Sequence, residues 1–449
     1  MTDGVKRRSE TDPAAAKTRV ALPPESGLRR PLSDEVHARP FARLRAPERA
    51  THLALFTGEE GAEEDAHHLH RLCDRYDVTP PPEGANHCIL DFDDFRLKWE
   101  RHTEFCSYTF FVGTPLTAEL YDRPALEAVP QDWVRGIPGE LLVAVNLVLE
   151  PDDAPERPPD TVPRFLSTEN FAASKVSGGA ATAFMDFAID DNGFGRVYVR
   201  DHGLRPRQAG RLVQRILEVE TYRMLALLAL PLARRYGREL SDLGTRLSEI
   251  ASHIGDISNL EEERRLLGEL TSLSADAERI AAATAYRFSA ARAYYALVQR
   301  RIEGLREERV EGFQTFAEFM ERRMAPAMRT CEAVRERQDM LSKRVNRTSQ
   351  LLRTRVDIQL EEQNVAVLNS MDKRAKLQLR LQETVETVSI AAVSYYVVGL
   401  IGYLSKGVKA VGVAVPVEIT TGVAVPIVAG GVFIVMRQVR KVIERQNGR

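Results

Sequence analysis

The spacing of apolar residues changes character three times along this chain. From about Leu28 to Arg200 they come in short runs rich in aromatic and β-branched residues, bounded by Pro and Gly clusters, which is the pattern of strands. Thr51–Phe56, His87–Phe92, Phe95–Glu100, Phe105–Val112, Leu141–Glu150, Phe184–Asp190 and Phe194–Arg200 are the expected strands. Gly61–Tyr76 and Gln131–Arg135 are expected helices, and the proline-rich stretch from Pro151 to Asp160 an exposed loop. Several connections are too short for crossover helices, so the sheet should be mostly antiparallel and the domain α+β.

Beyond Pro206 the strand signal stops. Gln208–Ile257, Ser258–Leu305 and Gln314–Thr387 carry apolar residues at helical spacing, with a kink expected at Pro231. Leu341, Val345, Leu352, Val356, Leu360, Val367 and Met371 follow one another at steps of four or seven, which keeps them on one stripe. A long stalk or coiled coil leading to a membrane would bury that stripe. An antiparallel bundle folding back at Asn259 or near Pro326 would bury it equally well.

The third pattern is continuous. Val388–Leu404 and Ile419–Met436 contain no charged residue, and each is near the shortest helix that spans a bilayer core of about 30 Å. Lys373, Arg374, Lys376 and Arg380 precede the pair, and Arg437, Arg440, Lys441 and Arg445 follow it. Basic flanks stay cytoplasmic, so both termini are expected there, with Ser405–Glu418 on the far side. A buried hairpin of a soluble core is the alternative, because Gly422, Pro426, Gly430 and Gly431 interrupt the second stretch.

The division that follows is a disordered tail at 1–27, an α+β cytoplasmic domain at 28–204, a helical stalk at 205–387, a transmembrane hairpin at 388–436 and a basic tail at 437–449. The 62 basic and 64 acidic residues nearly cancel, to a net charge of −2, which argues against a nucleic-acid partner. Cys73, Cys88, Cys106 and Cys331 have no CxxC spacing, as expected in a reducing compartment. The amino end carries no apolar run of signal-peptide type, so the bulk of the chain should be cytoplasmic.

Five blocks carry a resemblance: Asp34-Glu35-Val36-His37-Ala38-Arg39-Pro40, Trp99-Glu100-Arg101-His102-Thr103-Glu104-Phe105, Gly210-Arg211-Leu212-Val213-Gln214-Arg215, Glu220-Thr221-Tyr222-Arg223 and Ser394-Tyr395-Tyr396-Val397-Val398-Gly399. In this order they resemble the signature blocks of domain-of-unknown-function family 3422, bacterial membrane-anchored proteins. The resemblance implies a membrane anchor and no established activity. Ala188 departs from the family pattern, which would carry Arg after Asp186-Phe187. The layout is also similar to CorA-type magnesium channels, but Gly402-Tyr403-Leu404-Ser405-Lys406-Gly407 stands where those carry Gly-Met-Asn. Lys406 and Lys409 at that mouth would repel a cation.

Candidate chemistry is sparse. Asp34, Glu35, His37 and Arg39 place an acid, a base and an anion-binding fork close together, and Glu100, Arg101, His102 and Glu104 do the same. In a strand Glu100, His102 and Glu104 would share a face, with Arg101 opposite. Ion pairing explains both groups without catalysis. His67, His70 and Cys73 lie at three-residue steps on a helix, yet Glu63, Glu64 and Asp65 beside them suggest a solvated surface. Ser177-Gly178-Gly179-Ala180 lacks phosphate-loop spacing and fits a tight turn. No cofactor or metal is expected, and no protein partner can be named. The reading is a bacterial inner-membrane scaffold or assembly factor, homo-oligomeric and in contact with the lipid bilayer. A CorA-like channel or transporter comes second, and an enzyme in the N-terminal domain third.

Overall fold

The computed structural model describes every residue except 1–22, 31, 34–39, 59–61, 114, 117–118, 156–161, 163–164, 167, 169, 256–259, 411, 413–415 and 448–449. The expected tail therefore lies almost wholly outside the described residues. The rest forms two units, one of residues 1–252 and 270–345, the other of residues 253–269 and 346–449.

The first unit is built on a nine-stranded sheet. Its strands are β1 (Glu48–Phe56), β2 (His87–Asp91), β3 (Arg96–Arg101), β4 (Phe105–Val112), β5 (Glu140–Pro151), β6 (Ala172–Val176), β7 (Ala181–Met185), β8 (Gly195–Asp201) and β9 (Glu308–Arg309), in spatial order β2-β3-β4-β1-β5-β8-β7-β6-β9. Among the described strand pairs only β5 and β8 run parallel. All eight residues of β4 are buried, as expected of a strand covered on both faces.

The two faces differ in chemistry. Side chains alternate along a strand, so Leu53, Leu55, Leu97, Trp99, Cys106, Tyr108 and Phe110 point one way, into an apolar core with Leu69 and Leu72 of α1 (Ala62–Arg75) and Trp133 of α2 (Gln131–Arg135). His52, Lys98, Glu100, Ser107 and Thr109 point the other way and are also buried, beneath α3 (Pro206–Leu227).

Two strand expectations fail locally. The strand expected at Phe184–Asp190 ends at Met185, because Phe187 adopts φ +54° and Asp186 turns inward to accept from Thr168 N and Ala188 N, both at 3.1 Å. A left-handed residue cannot continue an extended ladder. Strand β6, unexpected from its small residues, pairs with β7 through a turn whose Ser177, Gly178 and Gly179 all have positive φ, so this turn is as expected.

Helix α3 stops at Leu227 and α4 (Ala229–His253) restarts at once. Pro231 has no N–H, and its ring opposes the carbonyl four residues back, at Leu227, so the break falls where that clash demands. Helices α5 (Leu260–Leu305), α6 (Phe316–Arg323), α7 (Ala325–Ala410) and α8 (Val417–Asn447) complete the chain. Thr315 caps α6, accepting from Glu318 N at 3.2 Å while Glu318 Oε2 accepts from Thr315 N at 3.0 Å.

Within the first unit α4, α5 and the start of α7 form a bundle. Thr284 Oγ1 donates to Gln338 Oε1 at 3.1 Å, Arg279 pairs with Glu239, and Arg344 donates to Ser248 Oγ at 3.0 Å. The contacts Arg337–Ser241 and Arg344–Ser248 advance together, so α4 and α7 run parallel. The bundle alternative holds here.

In the second unit Leu266 and Leu352 are buried, and the Arg355 guanidinium donates to the carbonyls of Ile254 and Gly255. The long stripe divides: Leu341, Val345 and Leu352 are buried, whereas Leu360, Val367 and Met371 are exposed. The two apolar segments lie in the end of α7 and in α8. Helix extends to Ala410 and resumes at Val417, so both ends of Ser405–Glu418 are helical. A Cβ on Gly402 would lie 3.7 Å from Thr421 Oγ1, which places the two helices side by side.

Candidate functional site

The described candidate residues gather at the turn between β3 and β4. Strand β3 ends at Arg101, and His102 N donates to Phe105 O at 2.9 Å to close the hairpin. Glu104 is therefore in the turn and does not share a strand face with Glu100. Arg101 pairs in register with Cys106, a residue of the apolar core, so it does stand on the face opposite Glu100.

Glu100 opens a chain of charges and an amide that is buried at Glu100 and Lys98 and half-buried from Gln214 to Arg301. Lys98 Nζ lies 2.9 Å from Glu100 Oε1 and donates to Gln214 Oε1 at 2.9 Å; Gln214 Nε2 donates to Glu218 Oε1 at 2.8 Å, and Glu218 pairs with Arg301. Each charge taken from water has a partner, which is the condition for keeping it buried. Glu104 is held separately, by Arg287 at 2.8 Å with Tyr286 OH at 3.3 Å. Burial, followed by the hydrogen bond to Glu104, raises the Tyr294 phenol above its ordinary pKa.

His52 sits at the centre of the seam, 2.8 Å from Thr109 Oγ1 through Nδ1 and 3.0 Å from Thr221 Oγ1 through Nε2. Thr221 gives its one hydroxyl proton to Leu217 O at 3.0 Å. Nε2 must therefore carry a proton and donate to Thr221, while Nδ1 accepts from Thr109. A neutral ring satisfies both contacts. Full burial, helped by the charge of Lys98, pushes its pKa down to about 3.

His52, Lys98, Glu100 and His102 line a cavity of about 30 Å³. It has room for a water molecule and none for a substrate. His102 stacks on Phe105 at 4.1 Å. The seam holds α3 to the sheet in one register, and although the Thr109 hydroxyl stands beside the His52 base, both are buried where no substrate fits.

Among the described residues the other candidates do not converge. Asp34, Glu35, His37 and Arg39 lie outside the described residues. Cys73 is fully buried in the apolar core while His67 is exposed, and among the described residues no group of three His, Cys, Asp or Glu side chains is placed to hold a metal ion. The expectation of a solvated surface fails at Asp65. That carboxylate is fully buried and accepts from Trp99 Nε1 at 2.7 Å and from Tyr108 OH. His52 and Lys98 were in no motif, and Gln214 stood only within a resemblance block with no role assigned; polar residues alternating with Leu97 and Trp99 normally mark a solvent face, and only α3 above them reverses that.

The family described as "Protein of unknown function (DUF3422)" matches residues 24–443, and the chain belongs to it. No curated protein and no solved structure matches the chain.

Proposed function

We propose that this family member is a membrane-anchored scaffold at the bacterial inner membrane, with its α+β unit and both termini cytoplasmic. The observation that carries the reading is the exposure of apolar side chains on two adjacent helices: Leu400 is 62% and Ile427 68% exposed, as are Tyr396, Tyr403, Phe433 and Ile434 to similar extents. Both helices are long and apolar enough to cross a bilayer. A continuous apolar surface of this kind is costly in water and favourable in hydrocarbon. The hydroxyls of Ser405 and Thr421 donate to carbonyls four residues earlier, Ile401 O at 2.8 Å and Val417 O at 2.7 Å, so they do not need water.

Orientation rests on the basic clusters at Lys373–Arg380 and Arg437–Arg445. Self-association rests on Leu360, Val367 and Met371, exposed in a single chain while the start of the same stripe is buried. Reporter domains fused after Arg449 and inserted beside Gly412 should report opposite compartments. The same compartment for both would reject the hairpin.

A further inference from the structure

Six arginines surround one cavity of about 880 Å³ at the amino end of α3. Arg43 and Arg45 come from the segment before β1, Arg96 from β3, and Arg205, Arg207 and Arg211 from the helix and its approach. Among the described lining residues Glu48 is the sole carboxylate, and it is engaged by Arg96 at 2.7 Å. Arg96 also donates to Arg43 O at 2.8 Å. Among the described residues no carboxylate pairs with Arg43, Arg45, Arg205, Arg207 or Arg211.

The walls are fixed. Leu44 N donates to Pro206 O at 3.1 Å, which ties the segment carrying Arg43 and Arg45 to the first residue of the helix. The Arg211 guanidinium lies 5.3 Å over the Phe41 ring. Five guanidiniums with no carboxylate partner among the described residues repel one another, and the helix adds partial positive charge at this end. The described lining contains no lysine, and the planar guanidinium fork matches phosphate oxygens two at a time. The volume exceeds that of one phosphate and falls within the range of small-ligand sites, about 300–1,000 Å³. A nucleic acid would call instead for an extended basic stripe, against the near-zero net charge of the chain.

We propose that this cavity binds a small polyanion bearing at least two phosphate groups, supplied as a soluble polyphosphate ester or as a lipid headgroup. The site stands independently of the membrane anchor. Its test is calorimetric titration of the purified full chain, in zwitterionic detergent, with inorganic triphosphate and with orthophosphate. Triphosphate should bind at least about tenfold more tightly than orthophosphate, and Arg45→Gln combined with Arg207→Gln should weaken it about tenfold or more without changing thermal melting. If that pair fails to fold, Arg211→Gln alone should give the same loss. Adding diphosphatidylglycerol to the micelles separates the sources: competition with triphosphate assigns a lipid headgroup, and an unchanged titration assigns a soluble ligand. No triphosphate binding at millimolar concentration, no preference over orthophosphate, or undiminished binding by the variants would overturn the proposal. Binding that appears only after Asp34→Asn and Glu35→Gln would assign the cavity to the chain's own acidic segment, and would overturn it too.

Discussion

A Cβ added to Gly210 would lie 1.7 Å from the carbonyl oxygen of Ala42. The segment leading into β1 thus rests directly on the backbone of α3, at the turn of helix below the arginine cavity. Backbone cannot give way as a flexible side chain can.

Gly210→Ala should therefore destabilise the protein by more than about 3 kcal/mol, beyond ordinary overpacking, since α3 and the segment must separate. Gly244 is the control, because nothing lies within 4 Å of its added Cβ on α4. There Ala should gain about 0.5–1 kcal/mol from helix propensity. Urea unfolding of the two variants checks both signs, and equal effects would refute the close approach.

His52 gives a pH dependence of defined sign. Its ordinary pKa of 6.5 applies to the unfolded chain and about 3 to the folded one, so between these values the unfolded state binds the extra proton. Stability from this group is complete above pH 6.5 and falls as the pH drops toward 3, by about 1.4 kcal/mol per unit. His52→Gln should lose about 2 kcal/mol less than wild type between pH 7 and pH 5. Identical pH slopes in chemical denaturation would mean that the ring is not buried neutral.

Asp65 is the sole described acceptor for two buried donors from different strands. Asp65→Ala would leave the Trp99 indole and the Tyr108 hydroxyl without it, at a cost of about 2–5 kcal/mol. Thermal melting should fall accordingly, while Glu64→Ala on the exposed face of α1 should have little effect. Similar melting of the two variants would place Asp65 in solvent.

Asp65 also marks the limit of what the sequence discloses. The run Glu63-Glu64-Asp65 looks uniformly solvated, yet the helical period puts Asp65 on the same face as Leu69 and Leu72, and two aromatic donors make that tolerable. Long strands with a clear period, such as Phe105–Val112, are legible residue by residue. Ala172–Val176 and the two-residue β9 are not, because small or polar residues carry no strand signal. The polar seam was partly visible, as Glu100 and His102. Lys98 lies two residues from Glu100 on the same strand, but Gln214 and Thr221, which reach Lys98 and His52, come from α3 and join the seam only when it docks, a long-range event that no local spacing records.

The divided stripe separates packing within a chain from association between chains. Leu352 is fully buried, so Leu352→Asp should lower thermal stability by several kcal/mol, about the cost of a buried unpaired carboxylate. Val367 is 58% exposed in one chain, so Val367→Asp should leave melting of the first unit intact and reduce the oligomer mass in detergent. Unchanged mass would remove this stripe as the association surface.

The proposed scaffold depends most directly on the helix pair being in the bilayer. Full-length protein and a chain ending at Thr387 should be expressed side by side and their membranes washed with high salt and alkaline carbonate. The account requires the full-length chain to remain with the membranes through both washes and the shortened chain to be soluble with a cooperative melt. A full-length chain released by carbonate, or a shortened chain that stays with the membranes, would contradict it.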